Sequence, residues 1–348
     1  MLSLSYSYQD RLGSLVWDEQ VFNQIYKKFE SFLYSENLIV TSIAPLFSFK
    51  CDLTEPIKLD TDVGIIPREY NVNIKCWLNR FEIEDKHFSE DYSWCIFTKR
   101  KCPKSHSKER GSNYSEDIAK LENVLISLRL LHSGPIHAGP LCSDEGSPFA
   151  GIHGGYRVIY PHSVLKRLPA DYMVFQLYAL KGGEIERLQQ IYNQMASLSE
   201  RSRKFLDIPL SRFHDSYERQ NERDKLIDLC ISLESLYVRE KDELAYRLAL
   251  RCAYFLEEDE LTETFRAVKD IYDARSKIVH GASRQPNKEQ LGKLVIGAEE
   301  YARRSICKLL SDKAYVDKIS RKPQGQELHF LDEVILKKHS RTESPLVR

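Results

Sequence analysis

Residues 261–282 read LTETFRAVKDIYDARSKIVHGA. Apolar side chains recur at Leu261, Phe265, Val268, Tyr272 and Val279, the three-and-four spacing that turns one face of an α-helix toward a core. Position 275 belongs to the same stripe and holds an arginine. A guanidinium is almost never fully buried without a partner, so Arg275 is out of place in a plain core and marks this helix for function. His280 follows, with Gly281 behind it as a helix C-cap. A five-residue step turns about 140° on an ideal helix, so Arg275 and His280 do not share a face. Ser276 and His280, four apart, do. One chain alone makes an awkward site from these groups. A symmetric pair of such helices would combine them, which is a geometric reason to expect a homodimer.

Upstream, residues 225–238 carry an apolar flank through Ile227, Cys230, Ile231 and Val238, interrupted by Glu234. A carboxylate and a guanidinium, each on the apolar flank of its own helix, invite a bidentate pair. Such a pair can also be purely structural, and a histidine at a helix C-terminus can serve the dipole alone. Spacing does not choose between these readings.

Around this segment the chain has two textures. From about residue 183 the period is helical, and helices are expected near 184–204, 208–220, 223–238, 242–257, 261–280 and 287–311, joined by short connections that favour antiparallel neighbours. Beyond 312 the pattern weakens into a basic stretch and a polar end, read as a mobile tail. Residues 1–183 mix helices at 18–34 and 116–132 with strand-like runs. These are Asn37-Leu38-Ile39-Val40, Val63-Gly64-Ile65-Ile66, 72–78 and Tyr92-Ser93-Trp94-Cys95-Ile96-Phe97. Residues 134–156, rich in Gly, Pro and His, read as a loop or tight turns. The expected fold class is therefore an α+β domain (1–183), an all-α helical bundle (184–312) and a basic, polar tail (313–348).

Composition narrows the function classes. Lys plus Arg and Asp plus Glu both number 51 in 348 residues, so the chain lacks the positive excess of a protein that coats nucleic acid, and any RNA contact must be local. Hydrophobic residues at 42% supply a core. None of the eight cysteines forms a Cys-x-x-Cys pair, and no His/Cys group has zinc spacing. His132, His137, His153 and His162 are irregularly spaced, so no metal or other cofactor is expected. Gly151-Ile152-His153-Gly154-Gly155 lacks the Lys-Ser/Thr of a phosphate loop. Residues 1–15 lack the basic flank and apolar run of a secretory signal, and no stretch approaches about 20 apolar residues. A cytoplasmic protein without a membrane partner is expected.

The string Tyr272-Asp273-Ala274-Arg275-Ser276-Lys277-Ile278-Val279-His280-Gly281 resembles the Arg-x4-6-His signature of HEPN domains, and more narrowly the Apea-like HEPN branch common among prokaryotic defence proteins. The stretches 212–219, 226–237 and 244–251 are similar to that branch, so the likeness spans roughly residues 184–312. It implies metal-independent RNA cleavage by a homodimer in which paired motifs face each other. His280 would be the general acid or base and Arg275 would hold the scissile phosphate. Glu234 would orient Arg275, and Ser276 stands where many active members carry Asn, Asp or His. Tyr272 and Lys277 would line the groove, unless Tyr272 belongs to the core. The same likeness implies a toxic effector of phage defence by abortive infection, with the N-terminal domain sensing a phage or host trigger. Two other readings stay open: a non-catalytic dimer acting as an RNA-binding or protein-interaction scaffold, and the toxin of a toxin–antitoxin pair.

Overall fold

The computed structural model describes residues 17–70, 92–103, 114–139, 141–144, 156–159, 177–238, 240, 242–256, 261–281, 285–320 and 330–342. The chain forms two compact units, residues 1–125 with 134–189, and residues 126–133 with 190–348.

The first unit opens with helix α1 (Glu19–Tyr34), whose N-cap Asp18 accepts from the backbone N–H groups of Gln20 and Val21 at 2.9 and 3.0 Å. Strands follow: β1 (Asn37–Phe47), β2 (Phe49–Cys51), β3 (Ile57–Lys58), β4 (Val63–Pro67) and β5 (Trp94–Pro103). Helix α2 (Tyr114–Leu131) comes next, then β6 (His137–Ala138), β7 (Leu141–Asp144), β8 (Tyr156–Ile159) and β9 (Tyr178–Leu180). The main sheet is antiparallel in the order β3-β4-β5-β1-β7-β8, with β6 also on β1, while β2 and β9 form a separate parallel pair. The runs at 37–40 and 63–66 lie in β1 and β4, and the run at 92–97 enters β5 at Trp94. The run at 72–78 lies outside the described residues. Part of 134–156 is strand rather than loop, because β6 and β7 pair their backbones with β1, a long-range partnership that Gly- and Pro-rich composition hides. A buried carboxylate ties α2 to this sheet. Asp117 accepts from Ser42 Oγ at 3.1 Å and Thr98 Oγ1 at 3.4 Å, and pairs with Arg100 at 3.3 Å.

The second unit is helical: α3 (Ile185–Ala196, shared with the end of the first unit), α4 (Glu200–Tyr217), α5 (Glu222–Tyr237), α6 (Leu244–Leu256), α7 (Leu261–Val279), α8 (Lys288–Ser311), α9 (Lys313–Ile319) and α10 (Phe330–Thr342). An α+β region followed by a helical region is thus what the chain folds into. The break expected near 205–207 falls instead just before Ser199, which caps α4 by accepting from the Ser202 N–H at 3.2 Å. Helix α5 is the central element, packed by α4, α6, α7 and α8, and Leu226, Leu229, Leu233, Leu236 and Tyr237 along it are at most 1% exposed. Within the stretch read as a tail, Lys313–Ile319 and Phe330–Thr342 form helices α9 and α10. Val316, Ile319 and Leu331 are buried in the core, and Asp332 of α10 pairs at 2.7 Å with the fully buried Arg251 of α6. A few apolar contacts and one ion pair outweigh local composition here. Among the described residues, no helix is long and apolar enough to cross a membrane.

Candidate functional site

Helix α7 packs against α5, α6 and α8, and its buried residues are Thr264, Val268, Ile271 and Ala274. The core face is therefore rotated by roughly 80° from the stripe read off the sequence, with Val268 common to both. Tyr272 is only half-buried, and Val279 is 49% exposed. Arg275, four residues from Ile271 and seven from Val268, remains on the inward side, with its side chain 21% exposed.

Arg275 faces Glu234 of α5, but the expected bidentate pair does not form. One Nη2 lies 3.8 Å from Glu234 Oε2, beyond hydrogen-bond range, and the buried Arg275 Nε has no acceptor among the described residues. Tyr272, one turn back on α7, completes the cluster. The guanidinium carbon of Arg275 sits 5.8 Å from the centre of the Tyr272 ring, at the outer edge of cation–π range. Burial pushes the Glu234 carboxyl above the usual carboxylate range, while Arg275 and the Tyr272 hydroxyl pull it back down. Burial and the neighbouring Glu234 raise the Tyr272 phenol. Cys230, one turn before Glu234, is wholly buried, and burial holds its thiol protonated.

His280 lies elsewhere around the helix. It is exposed just past the last turn of α7, and its backbone N–H donates to Ser276 O at 3.0 Å. Gly281 follows at φ +65° with its N–H directed to Ile278 O at 3.4 Å, so the C-cap is present. Nothing lies within 4 Å of where a Gly281 Cβ would be, so only backbone conformation opposes a side chain there. Gly281→Ala is expected to lower stability by about 1 kcal/mol, read from the urea midpoint.

Lys277 also points away from Arg275. Together with Asp273, Gln285, Pro286, Gln290 and Leu294 it lines an open groove of about 770 Å³ between α7 and α8. The shared groove envisaged for Tyr272 and Lys277 is thus not built within one chain. Tyr272 belongs to the Arg275 side and Lys277 to the other. His137 is buried, the motif at 151–155 lies outside the described residues with His162, and the described residues contain no group of three His, Cys, Asp or Glu arranged to hold a metal.

Other charges inside apolar runs escaped attention in the sequence, although the misplaced-charge criterion applies to them equally. Asp228 is buried and takes Arg212 at 3.0 Å and Arg219 at 2.5 Å. Arg129, whose side chain is 0% exposed, bonds Glu218 at 2.5 Å and His214 Nδ1 at 2.9 Å. The guanidinium donors of Arg251 are engaged by Asp332, Glu240 and the Tyr237 carbonyl at 2.7–2.9 Å. What separates Arg275 from Arg129 and Arg251 is the distance to its carboxylate, 3.8 Å to Glu234 against 2.5 Å to Glu218 for Arg129 and 2.7–2.8 Å to Asp332 and Glu240 for Arg251. Compared with protein-family models, curated proteins and solved structures, the chain matches none.

Proposed function

We propose that the helical unit is a HEPN-type domain and that the protein is a metal-independent RNA endonuclease working as a homodimer. The observation that carries this reading is the state of Arg275. It sits on the inward side of α7, held by one 3.8 Å contact, with its Nε unpaired. Leaving a buried donor unsatisfied costs about 1–3 kcal/mol, and a phosphodiester supplies the acceptors that would satisfy it. The exposure of His280 and Val279 at the end of the same helix favours the same reading, because a second copy packed there would bring an imidazole toward a guanidinium that its own chain keeps apart from it.

In the proposed chemistry the 2′-hydroxyl of the RNA attacks the adjacent phosphorus while the bond to the 5′ oxygen breaks. The products are a 2′,3′-cyclic phosphate and a 5′-hydroxyl end. The His280 imidazole of the second copy takes the 2′ proton and, as the imidazolium so formed, delivers a proton to the departing 5′ oxygen. Arg275 binds the nonbridging oxygens as charge builds on them. Glu234 orients Arg275, and Ser276 offers a hydroxyl at the rim. The biological reading is a cytoplasmic effector of phage defence by abortive infection, with the N-terminal unit sensing a phage or host trigger.

Purified protein incubated with a defined RNA panel tests this. Because proton transfer and charge stabilisation are both assigned to side chains, cleavage is expected to persist in EDTA with less than about a twofold change, and products should carry cyclic phosphate ends. Cleavage abolished by EDTA and restored by a divalent ion would overturn the chemistry.

A further inference from the structure

Helix α2 carries two buried charges, Asp117 in its first turn and Arg129 in its last. Residues 117–129 contain neither Gly nor Pro, so the stretch between the charges offers no kink. Residues 124–130 are buried without a break, which takes in every side of the helix. Each charge is tied within a different unit. Asp117 belongs to the first, where Ser42 Oγ of β1 donates to it at 3.1 Å and Arg100 of β5 pairs with it at 3.3 Å. Arg129 belongs to the second, where its guanidinium donates to Glu218 at 2.5 Å, to His214 Nδ1 at 2.9 Å and to the His214 carbonyl at 3.1 Å, on α4 and its C-cap. The backbone of the same turn is taken by α8. The Arg129 carbonyl accepts from Arg303 Nε at 3.1 Å and the Leu130 carbonyl from Cys307 Sγ at 3.5 Å. A helix end leaves such carbonyls without an internal partner, so α8 supplies the cap of α2.

We infer that α2 is a transmission rod, a stiff helix anchored in the sheet at Asp117 and in the helical unit at Arg129, through which a change in the first unit reaches α4 and α8. The inference rests on the ribonuclease reading for what is regulated, but not for the coupling itself. A helix without a kink passes a displacement of one end to the other. Moving the last turn draws Arg129 away from Glu218 and His214 and leaves its charge buried without them, a costly state that α4 and α8 must shift to relieve. Helix α8 in turn packs on α7, where Ile271 Cδ1 lies 3.6 Å from the position a Gly297 Cβ would take, so it adjoins the helix that carries Arg275.

The experiment follows amide hydrogen exchange in the full chain for wild type, Asp117→Asn and Arg129→Met, with Val63→Ala in β4 as a variant that weakens the first unit without touching α2. Asp117→Asn is expected to speed exchange about tenfold in α4 near His214 and in α8 near Arg303, neither of which it contacts. Coupling is reciprocal, so Arg129→Met is expected to speed exchange in β1 near Ser42. Val63→Ala is expected to leave α4 and α8 unchanged. If Asp117→Asn alters exchange only in the first unit, or if Val63→Ala loosens α4 and α8 as much as Asp117→Asn does, the rod is overturned. Where RNA is cleaved, Asp117→Asn is expected to change kcat at least about threefold with Arg275 and His280 intact, and coupled exchange with an unaltered kcat overturns the regulatory consequence. Coupled exchange in a protein that cleaves no RNA supports the rod and places the failure in the ribonuclease reading instead. Should Asp117→Asn not fold, Ser42→Ala removes one bond of the same anchor and is read by the same exchange in α4 and α8.

Discussion

Arg275→Ala and His280→Ala are each expected to lower RNA cleavage by about a thousandfold, and each to relieve any growth arrest caused by overexpressing the wild type. The magnitude follows from the roles. A preorganised donor that meets charge developing in the transition state contributes about 10²–10³ in kcat, and a positioned acid or base contributes about 10²–10⁴. Arg275→Lys should rescue little, since an ammonium cannot reproduce the planar fork. The two single variants also test the placement of the groups. Arg275 lies on the inward side of its helix and His280 is exposed beyond the last turn, so one chain does not bring them together. If each site takes its arginine from one subunit and its histidine from the other, a mixture of the two variants should recover activity. Half the dimers would be mixed, and each would have one intact site of two, giving about a quarter of the wild-type rate. No recovery on mixing would count against a site divided in this way. Full activity in both single variants would sink the nuclease reading and favour the scaffold alternative, in which Glu234 and Arg275 only join two helices.

Much of the helical architecture is legible in the sequence because helical periodicity is a local property. The caps at Ser199, Asn287 and Gly281 are written in single residues. What is not legible depends on partners distant in sequence. The rotation of the α7 core face is set by three surrounding helices, and a stripe containing Tyr272 and Val279 looked equally good in isolation. The docking of α10 (Phe330–Thr342) involves Asp332 meeting Arg251, 81 positions away, which no local window contains. Of the site, the residue types were readable and their states were not. Arg129, Asp228, Arg251 and Arg275 all interrupt apolar runs. Only the geometry separates three charges held by close ion pairs from one whose carboxylate stands at 3.8 Å, and only the geometry puts Tyr272 with Arg275 and Lys277 on another side.

Arg251→Ala is expected to destabilise the helical unit by about 3–5 kcal/mol, the largest stability effect foreseen for a single residue here. The side chain is 0% exposed and gathers four elements. It reaches the carbonyl of Tyr237 at the end of α5, Glu240 in the connection that follows, Asp332 of α10, and its own helix α6. Truncation leaves a cavity, a buried carbonyl that loses its donor, and two carboxylates whose mutual repulsion is no longer compensated. Glu240 and Asp332 retain 32% and 24% exposure, so both can turn to water. This relief keeps the cost within that range and prevents it from reaching the full price of two buried charges. Asp332→Ala should be milder, because Arg251 keeps Glu240, and it should act locally: amide exchange in α10 would quicken before that in α5 or α7. Arg251→Met, which restores volume without charge, should recover part of the loss, and the difference between Met and Ala measures packing apart from ionic grip. Urea unfolding followed by circular dichroism reads all three, and an unchanged midpoint in Arg251→Ala would refute the proposed clamp. Cleavage gives the complementary control. Arg251 holds the scaffold beneath α7 and does not touch the Glu234–Tyr272–Arg275 cluster, so its variants should lose activity only in proportion to the folded fraction, whereas Arg275→Ala should lose activity in a protein that remains folded.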